Sequence, residues 1–121
     1  MEEAFDRLGA EGGVKVLWVL ASNIVVSAPH SNNVVSKLKG LDFLVVSDIF
    51  RSETAEFADV VLPTAQWAEE EGTMTNLEGR VIRRRMALPP PPMVKSDLAV
   101  LAELAGLLGR GEFFSDSPHE V

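Results

Sequence analysis

Three short apolar runs, covering residues 14–20, 43–46 and 59–62, constrain the fold of this chain more than any other feature. Each run is apolar at nearly every position and rich in β-branched residues, with no alternation between apolar and polar side chains. Continuous runs of this kind are typical of parallel strands that are covered on both faces. The sequence therefore predicts a parallel sheet at the core of the fold.

The segments between these runs predict helical crossovers. Residues 30–39 carry apolar side chains at helical spacing, and Gly40 follows as a C-terminal cap. Ser52 is placed to cap a short helix over residues 53–58. Strand, helix, strand, helix and strand with short connections predict a Rossmann-like βαβαβ unit of the α/β class, with a mainly parallel sheet and flanking helices.

The chain beyond the third run gives weaker structural signals. Residues 65–71 are expected to form one or two helical turns that end at Gly72. Residues 81–86 resemble a strand but contain three consecutive arginines, so we expect them at an edge or surface. Residues 88–95 contain four consecutive prolines, which predict an extended, semi-rigid connector.

A last helix is predicted over residues 97–108, with Ser96 as its N-terminal cap and Gly109 as its stop. This helix is apolar on every side, and such helices are normally buried on every side. The few helices of this chain leave the sheet under-covered, so we expect further protein to pack here. Residues 1–121 are predicted to form one α/β domain, with a weakly structured tail at residues 112–121.

The charge balance and the missing cysteines exclude several classes of function. With 11 basic and 18 acidic residues the net charge is −7, which argues against nucleic acid as a partner. The absence of cysteine excludes a disulfide framework, a thiolate metal site and a cysteine nucleophile. No apolar run approaches the ~20 residues of a membrane span, and the acidic start does not resemble a signal peptide. We therefore expect a soluble protein without membrane insertion.

Motifs for catalysis or phosphate binding are absent from the sequence. It contains neither a G-x-G-x-x-G nor a G-x-x-x-x-G-K-[ST] motif, and no Ser-His-Asp set can be assembled. The consecutive carboxylates at residues 69–71 point in different directions on a helix, and neither His30 nor His119 has a partner at ligand spacing. No catalytic residue and no metal ligand are predicted, which indicates a binding module rather than a complete enzyme.

Polar residues follow the first two predicted strands, at residues 21–23 and 47–48. Ligands of open α/β sheets bind at the carboxyl ends of parallel strands. Ser, Asn and Asp at these positions are able to hydrogen-bond a nucleobase or a ribose, but they are equally ordinary loop and cap residues. The spacing alone leaves both interpretations open.

Four segments, in the same order and over nearly the whole chain, resemble the molybdopterin oxidoreductases: LWVLASN, DFLVVSDIF, SETAEFADVVLPTAQWAEEEGTMTNLEGRV and SDLAVLAELAGLLG. Within that family the likeness is greatest to assimilatory nitrate reductases, followed by formate dehydrogenases. The resemblance implies a fragment of the α/β region of a larger multidomain catalytic subunit, and the rest of that subunit as its partner. Such a fragment is not expected to be catalytic on its own. Nitrate assimilation would place the parent enzyme in the cytoplasm.

The resemblance also implies a cofactor, molybdenum held by two molybdopterin guanine dinucleotides. The molybdenum ligand and an iron–sulfur cluster would lie in the parent enzyme, outside this chain. The family's contacts to the guanine dinucleotide fall on five positions of this sequence, which are Asn23, Ser47, Asp48, Glu70 and Asp97. A carboxylate such as that of Asp48 is able to accept hydrogen bonds from both N–H groups of a guanine edge.

Two other functions remain open at this level. The chain is also similar to the large iron–sulfur subunit of respiratory complex I, in which this segment would serve assembly and hold no molybdenum. A free-standing small binding or interaction protein is a third possibility. Molybdenum- and pterin-binding residues in the rest of the gene, or start and stop codons around these 121 residues, would distinguish the three.

Overall fold

The computed structural model describes residues 5–120. Their contacts form two compact units, and the chain passes from the first to the second between Pro63 and Thr64. The first unit consists of five main elements: β1 (Val16–Leu20), α1 (Ile24–Ser27), α2 (Ser31–Leu38), β2 (Phe43–Asp48) and β3 (Val60–Pro63).

The first unit contains the predicted parallel sheet. Its strand order is β1-β2-β3, and both neighbouring pairs are parallel. Val16 pairs with Phe43 at the amino edge, and Leu20 pairs with Ser47 at the carboxyl edge. The α/β fold class with a parallel sheet is confirmed, although β1 begins two residues later than the apolar run indicated.

The core of the first unit lies between the sheet and the helical crossover. Leu44 and Val46 of β2 are almost fully buried against Val34 and Leu38 of α2. Burying side chains of this size contributes about 1.5–3 kcal/mol each. The apolar spacing that predicted a helix over residues 30–39 therefore marks the side of α2 that faces the core.

The second crossover is shorter than predicted, because the expected helix over residues 53–58 is a single 3-10 turn at Ala55–Phe57. Ser52 does not cap it. Ala58 already has an extended backbone, and the Asp59 N–H donates to the Leu44 carbonyl at 2.9 Å. The chain must straighten into β3 at this point, so a longer helix has no room.

The second unit contains an antiparallel hairpin of β4 (Gly72–Thr75) and β5 (Val81–Arg84) and then α3 (Asp97–Leu107). The strand-like segment at residues 81–86 is confirmed as β5, whereas β4 was not predicted. Asn76 closes the turn, since its Oδ1 accepts from the N–H groups of Glu78 and Arg80.

The prediction of helical turns over residues 65–71 is wrong. The Gln66 side chain accepts from the Ala68 N–H at 3.0 Å, and the Glu69 carboxylate accepts from the Gln66 N–H at 3.2 Å. Side chains that bind nearby backbone groups in this way compete with the helical hydrogen-bond pattern. The segment is therefore a series of turns.

Helix α3 begins and ends close to the predicted positions. The Ser96 hydroxyl accepts from the Ala99 N–H at 3.2 Å, as expected of an N-cap. Near its end, Leu107 is 86% exposed, so residues 5–120 do not cover the helix on all sides. Within residues 5–120, no helix combines the length and hydropathy needed to cross a bilayer.

Candidate functional site

The candidate site is the carboxyl edge of the parallel sheet in the first unit. β1 ends at Leu20, β2 ends at Asp48, and the Ala21 N–H donates to the Ser47 carbonyl at 2.8 Å. The segments that follow the two strands therefore leave the sheet at the same edge. This is the edge at which open α/β sheets bind ligands.

The chain turns sharply after β1. Ala21 has a φ of 48°, in the left-handed region that residues with a Cβ rarely adopt. Such a backbone costs on the order of 1 kcal/mol for a residue other than glycine. The turn brings Asn23 to the sheet edge, where its backbone carbonyl accepts from the N–H groups of Val26 and Ser27 of α1.

The side chain of Asn23 is held at both ends of its amide. Its Nδ2 donates to the Glu53 carboxylate at 2.6 Å, and its Oδ1 accepts from the Thr54 hydroxyl at 2.9 Å. The amide nitrogen has two N–H donors and the amide oxygen has two acceptor lone pairs, and each of these hydrogen bonds uses only one of them. Asn23 thus keeps one donor and one acceptor for a ligand.

Thr54 connects this amide to the backbone of α1. Its Oγ1 accepts from the Val25 N–H at 3.1 Å, and the residue is fully buried. Asn23 occupies the N-cap position of α1 but makes no side-chain cap hydrogen bond. Because Thr54 supplies the cap, the Asn23 side chain does not have to.

Glu53 lies at the solvent-exposed end of this network. Its own backbone N–H, followed by the Asn23 amide, lowers the pKa of the Glu53 carboxyl below its ordinary value. Both groups donate to the charged form, which they stabilise. The carboxylate is therefore ionised at neutral pH.

Asp48 presents a carboxylate at the same edge, while its neighbour Ser47 is turned away from it. The Oδ1 of Asp48 accepts from the Ile49 N–H at 2.7 Å, and its Oδ2 makes no hydrogen bond within residues 5–120. Ser47 is fully buried, and its hydroxyl accepts from the Trp18 indole N–H at 2.8 Å. Asp48 is thus open to a ligand, and Ser47 fixes an aromatic ring of β1.

The other two predicted residues belong to the second unit. Glu70 is half-buried and accepts from Arg84 of β5 at 2.9 Å. Asp97 is the first residue of α3, where the helix dipole favours a negative charge. The structure therefore places Asn23, Ser47 and Asp48 in one unit and Glu70 and Asp97 in the other.

The chemistry of the sheet edge suits a heterocyclic base better than a phosphate. Asn23 and Asp48 offer one amide donor, one amide acceptor and one carboxylate acceptor, which match the mixed edge of a nucleobase. The carboxylates of Asp48 and Glu53 repel a phosphate group. Within the described part of the chain, no three His, Cys, Asp or Glu side chains group as metal ligands would.

Sequence reasoning identified Asn23 and Asp48 as edge residues but missed Glu53 and Thr54. Both lie in the SETAEFADVVLP segment, about 30 residues from Asn23, and they reach it only because the crossover folds back along the sheet. A carboxylate and a hydroxyl directly before a buried alanine were the available signal. That pattern is common in ordinary caps, which is why it did not stand out.

Comparison with known proteins adds evidence that is independent of this geometry. The family model described as molybdopterin oxidoreductase matches residues 4–107. The chain is 46% identical over 105 residues to the assimilatory nitrate reductase catalytic subunit of Bacillus subtilis, covering 87% of this chain and 15% of that protein. It is 48% identical over 113 residues to the F420-dependent formate dehydrogenase subunit alpha of Methanocaldococcus jannaschii, covering 93% of this chain and 16% of that protein.

A solved structure shows a similar fold. Acetylene hydratase from Pelobacter acetylenicus superposes with a TM-score of 0.80 at 29% sequence identity, covering 90% of this chain and 16% of that one. The chain thus spans only about 15% of the length of the relatives it matches.

Proposed function

The chain belongs to the molybdopterin oxidoreductase family, and from this premise we propose that its first unit holds the guanine end of one molybdopterin guanine dinucleotide. Members of the family bind molybdenum with such a cofactor. The observation that carries the proposal is that Asn23 and Asp48 follow or end neighbouring strands at the same edge of a parallel sheet, and that each keeps hydrogen-bonding positions that no contact within residues 5–120 uses.

The residues at this edge fit the base of the dinucleotide. A guanine edge presents a carbonyl acceptor beside two N–H donors. The open Oδ2 of Asp48 is able to accept from one of those N–H groups, and the remaining N–H of Asn23 is able to donate to the carbonyl. The negative charge of Asp48 and Glu53 disfavours the pyrophosphate, which we assign to other parts of the parent subunit.

Ser47, Glu70 and Asp97 have supporting roles in this proposal. Ser47 positions the end of β2 through its bond to Trp18, and Asp48 follows it directly. Glu70 and Asp97 remain proposed contacts of the dinucleotide from the second unit. Glu70 would act together with Arg84, which neutralises its charge.

The chain's share in the parent reaction is binding and orientation. When bound, the cofactor supplies two-electron chemistry at molybdenum, and this chain contributes hydrogen bonds that hold one end of it. The molybdenum ligand and any iron–sulfur cluster are assigned to parts of the catalytic subunit outside this sequence. That subunit and the dinucleotide are the proposed partners. Neither nucleic acid nor a membrane is proposed as a partner.

Nitrate reduction is the proposed reaction of the parent enzyme, and the cytoplasm its proposed compartment. Similarity to an assimilatory nitrate reductase catalytic subunit supports this choice, and formate oxidation is the second candidate because of the formate dehydrogenase relative. The complex I alternative gains no support from these relatives.

The proposal is tested by titrating the ¹⁵N-labelled 121-residue chain with GDP, while its amide spectrum verifies that it is folded. We expect shifts at Asn23, Asp48 and Ile49, and an affinity about tenfold weaker in Asp48→Ala, because a charge-assisted hydrogen bond is lost. Asp42→Ala is the matched control, since Asp42 is an exposed aspartate directly before the opposite end of β2. Equal affinities of the two variants, or no shifts at millimolar GDP, would contradict the proposal.

A further inference from the structure

We infer that Glu53 and Thr54 are positioning residues that fix which way the Asn23 amide faces, and that this orientation makes the site selective for guanine over adenine. The inference rests on the proposed function. It concerns two residues that are not among the cofactor contacts implied by the family resemblance. Their hydrogen bonds to Asn23 carry it.

An asparagine amide has two orientations of similar shape, which exchange the positions of Oδ1 and Nδ2. Glu53 distinguishes them because an ionised carboxylate is only an acceptor, so it must face the Asn23 nitrogen. The Asn23 Nδ2 and the Glu53 Oε2 lie 2.6 Å apart, and hydrogen bonds to an ionised acceptor are shorter and stronger than neutral ones. The reversed amide would place two oxygens in contact.

Thr54 also favours one of the two orientations of the Asn23 amide. Its Oγ1 already accepts from the Val25 N–H, so the hydroxyl proton points elsewhere, and the Asn23 Oδ1 lies 2.9 Å away to accept it. Thr54 is fully buried, which excludes water as a substitute partner. Both neighbours therefore require the same orientation of one side chain.

The fixed amide determines what a ligand meets. Asn23 presents its second N–H and its second oxygen lone pair in a set order, at the same sheet edge as the open carboxylate oxygen of Asp48. Guanine and adenine place a donor and an acceptor in opposite order along their six-membered-ring edges. An amide that cannot turn, next to a carboxylate that only accepts, favours guanine. An amide free to turn would accommodate either base at that position.

The test compares Glu53→Ala with Glu56→Ala, because Glu56 is an exposed glutamate three residues further on that makes no hydrogen bond to Asn23. The first measurement needs no ligand. The two Hδ2 resonances of Asn23 are expected to be well separated in the wild-type chain and in Glu56→Ala. In Glu53→Ala the Asn23 Nδ2 loses its acceptor, so we expect the difference between the two chemical shifts to decrease.

The second measurement is the ratio of the GDP and ADP dissociation constants. We expect Glu53→Ala to lose about threefold to tenfold of the preference for GDP, and Glu53→Gln, which keeps an oxygen acceptor, to recover part of it. A wild-type chain that shows the Asn23 signature but does not bind GDP would contradict the proposed function, and the inference would fall with it. A chain that binds GDP while Glu53→Ala changes neither the Asn23 resonances nor the GDP preference would overturn the inference alone.

Discussion

The hydroxyl groups near the sheet edge of the first unit belong to buried side chains, whereas charged side chains of the second unit pair across a largely exposed hairpin. Thr54 and Ser47 are fully buried, and each hydroxyl has a defined partner. On the hairpin, Arg83 and Glu71 lie 3.7 Å apart with most of the arginine side chain in water. Hydrogen bonds that cannot be replaced by water fix geometry, and solvated ion pairs contribute little to it. The first unit is therefore the better scaffold for a binding site.

The largest effect is expected from the core behind the sheet edge. Leu44→Ala removes a side chain that is 1% exposed, and we expect it to lower the free energy of unfolding by about 2–5 kcal/mol. Leu107→Ala changes the same residue type at a position of α3 that is 86% exposed, and we expect less than about 0.5 kcal/mol. Urea denaturation measures both, and equal losses would contradict the contrast between the units.

The buried hydroxyl of Thr54 is the next most sensitive position. Thr54→Val keeps the shape of the side chain but leaves the Val25 N–H without an acceptor and the Asn23 Oδ1 without a donor, so we expect a loss of about 1–3 kcal/mol. Thr73→Val on the exposed strand β4 is the control, with an expected change within about 0.5 kcal/mol. If the two variants unfold at the same urea concentration, the Thr54 network does not stabilise the unit.

A smaller effect is expected from the ion pair between Glu70 and Arg84. It joins two half-buried side chains at 2.9 Å, and a double-mutant cycle with Glu70→Gln and Arg84→Met should give a coupling of about 0.2–1 kcal/mol that weakens with salt. The coupling is read from urea denaturation at two ionic strengths. A salt-independent coupling above this range would show that the hairpin holds its polar groups as firmly as the first unit does.

The smallest effect is expected from the titration of Glu53. Because its folded-state pKa is lowered, its contribution to stability is present above the ordinary pKa of a glutamate carboxyl and is lost as the pH falls through the lower folded value. Asn23→Ala should raise the pKa toward the ordinary value without reaching it, since the backbone N–H of Glu53 remains a donor. Carboxyl ¹³C shifts measure this, and Asn33→Ala, at an exposed asparagine of α2, should leave the pKa of Glu53 unchanged. An unchanged pKa in Asn23→Ala would exclude the Asn23–Glu53 bond in solution.

Local sequence patterns were sufficient for the strands and α2 of the first unit, which have a strong apolar signal of their own, but not for its second crossover. Val16–Leu20 and Phe43–Asp48 are strands that contain continuous apolar runs, and Val34 and Leu38 mark the buried face of α2. Strand β4 gave no such signal. Gly72–Thr75 is short, has a single large apolar residue and becomes a strand only by pairing with β5.

The candidate site was predictable only in part. Asn23 and Asp48 could be located from the strand ends, since position at the carboxyl edge follows from the parallel order. The burial of Ser47, its bond to Trp18 and the links from Asn23 to Glu53 and Thr54 depend on contacts between residues 29–31 positions apart. No local pattern encodes such contacts.

Our main proposal is that the carboxyl edge of the parallel sheet holds a guanine base. Intermolecular nuclear Overhauser effects between GDP and the labelled 121-residue chain test it most directly. We expect contacts from the guanine imino and amino protons to the side-chain amide of Asn23 and to the backbone amide of Ile49, which follows Asp48. Contacts confined to the amino edge of the sheet, around Val16 and Phe43, would contradict it.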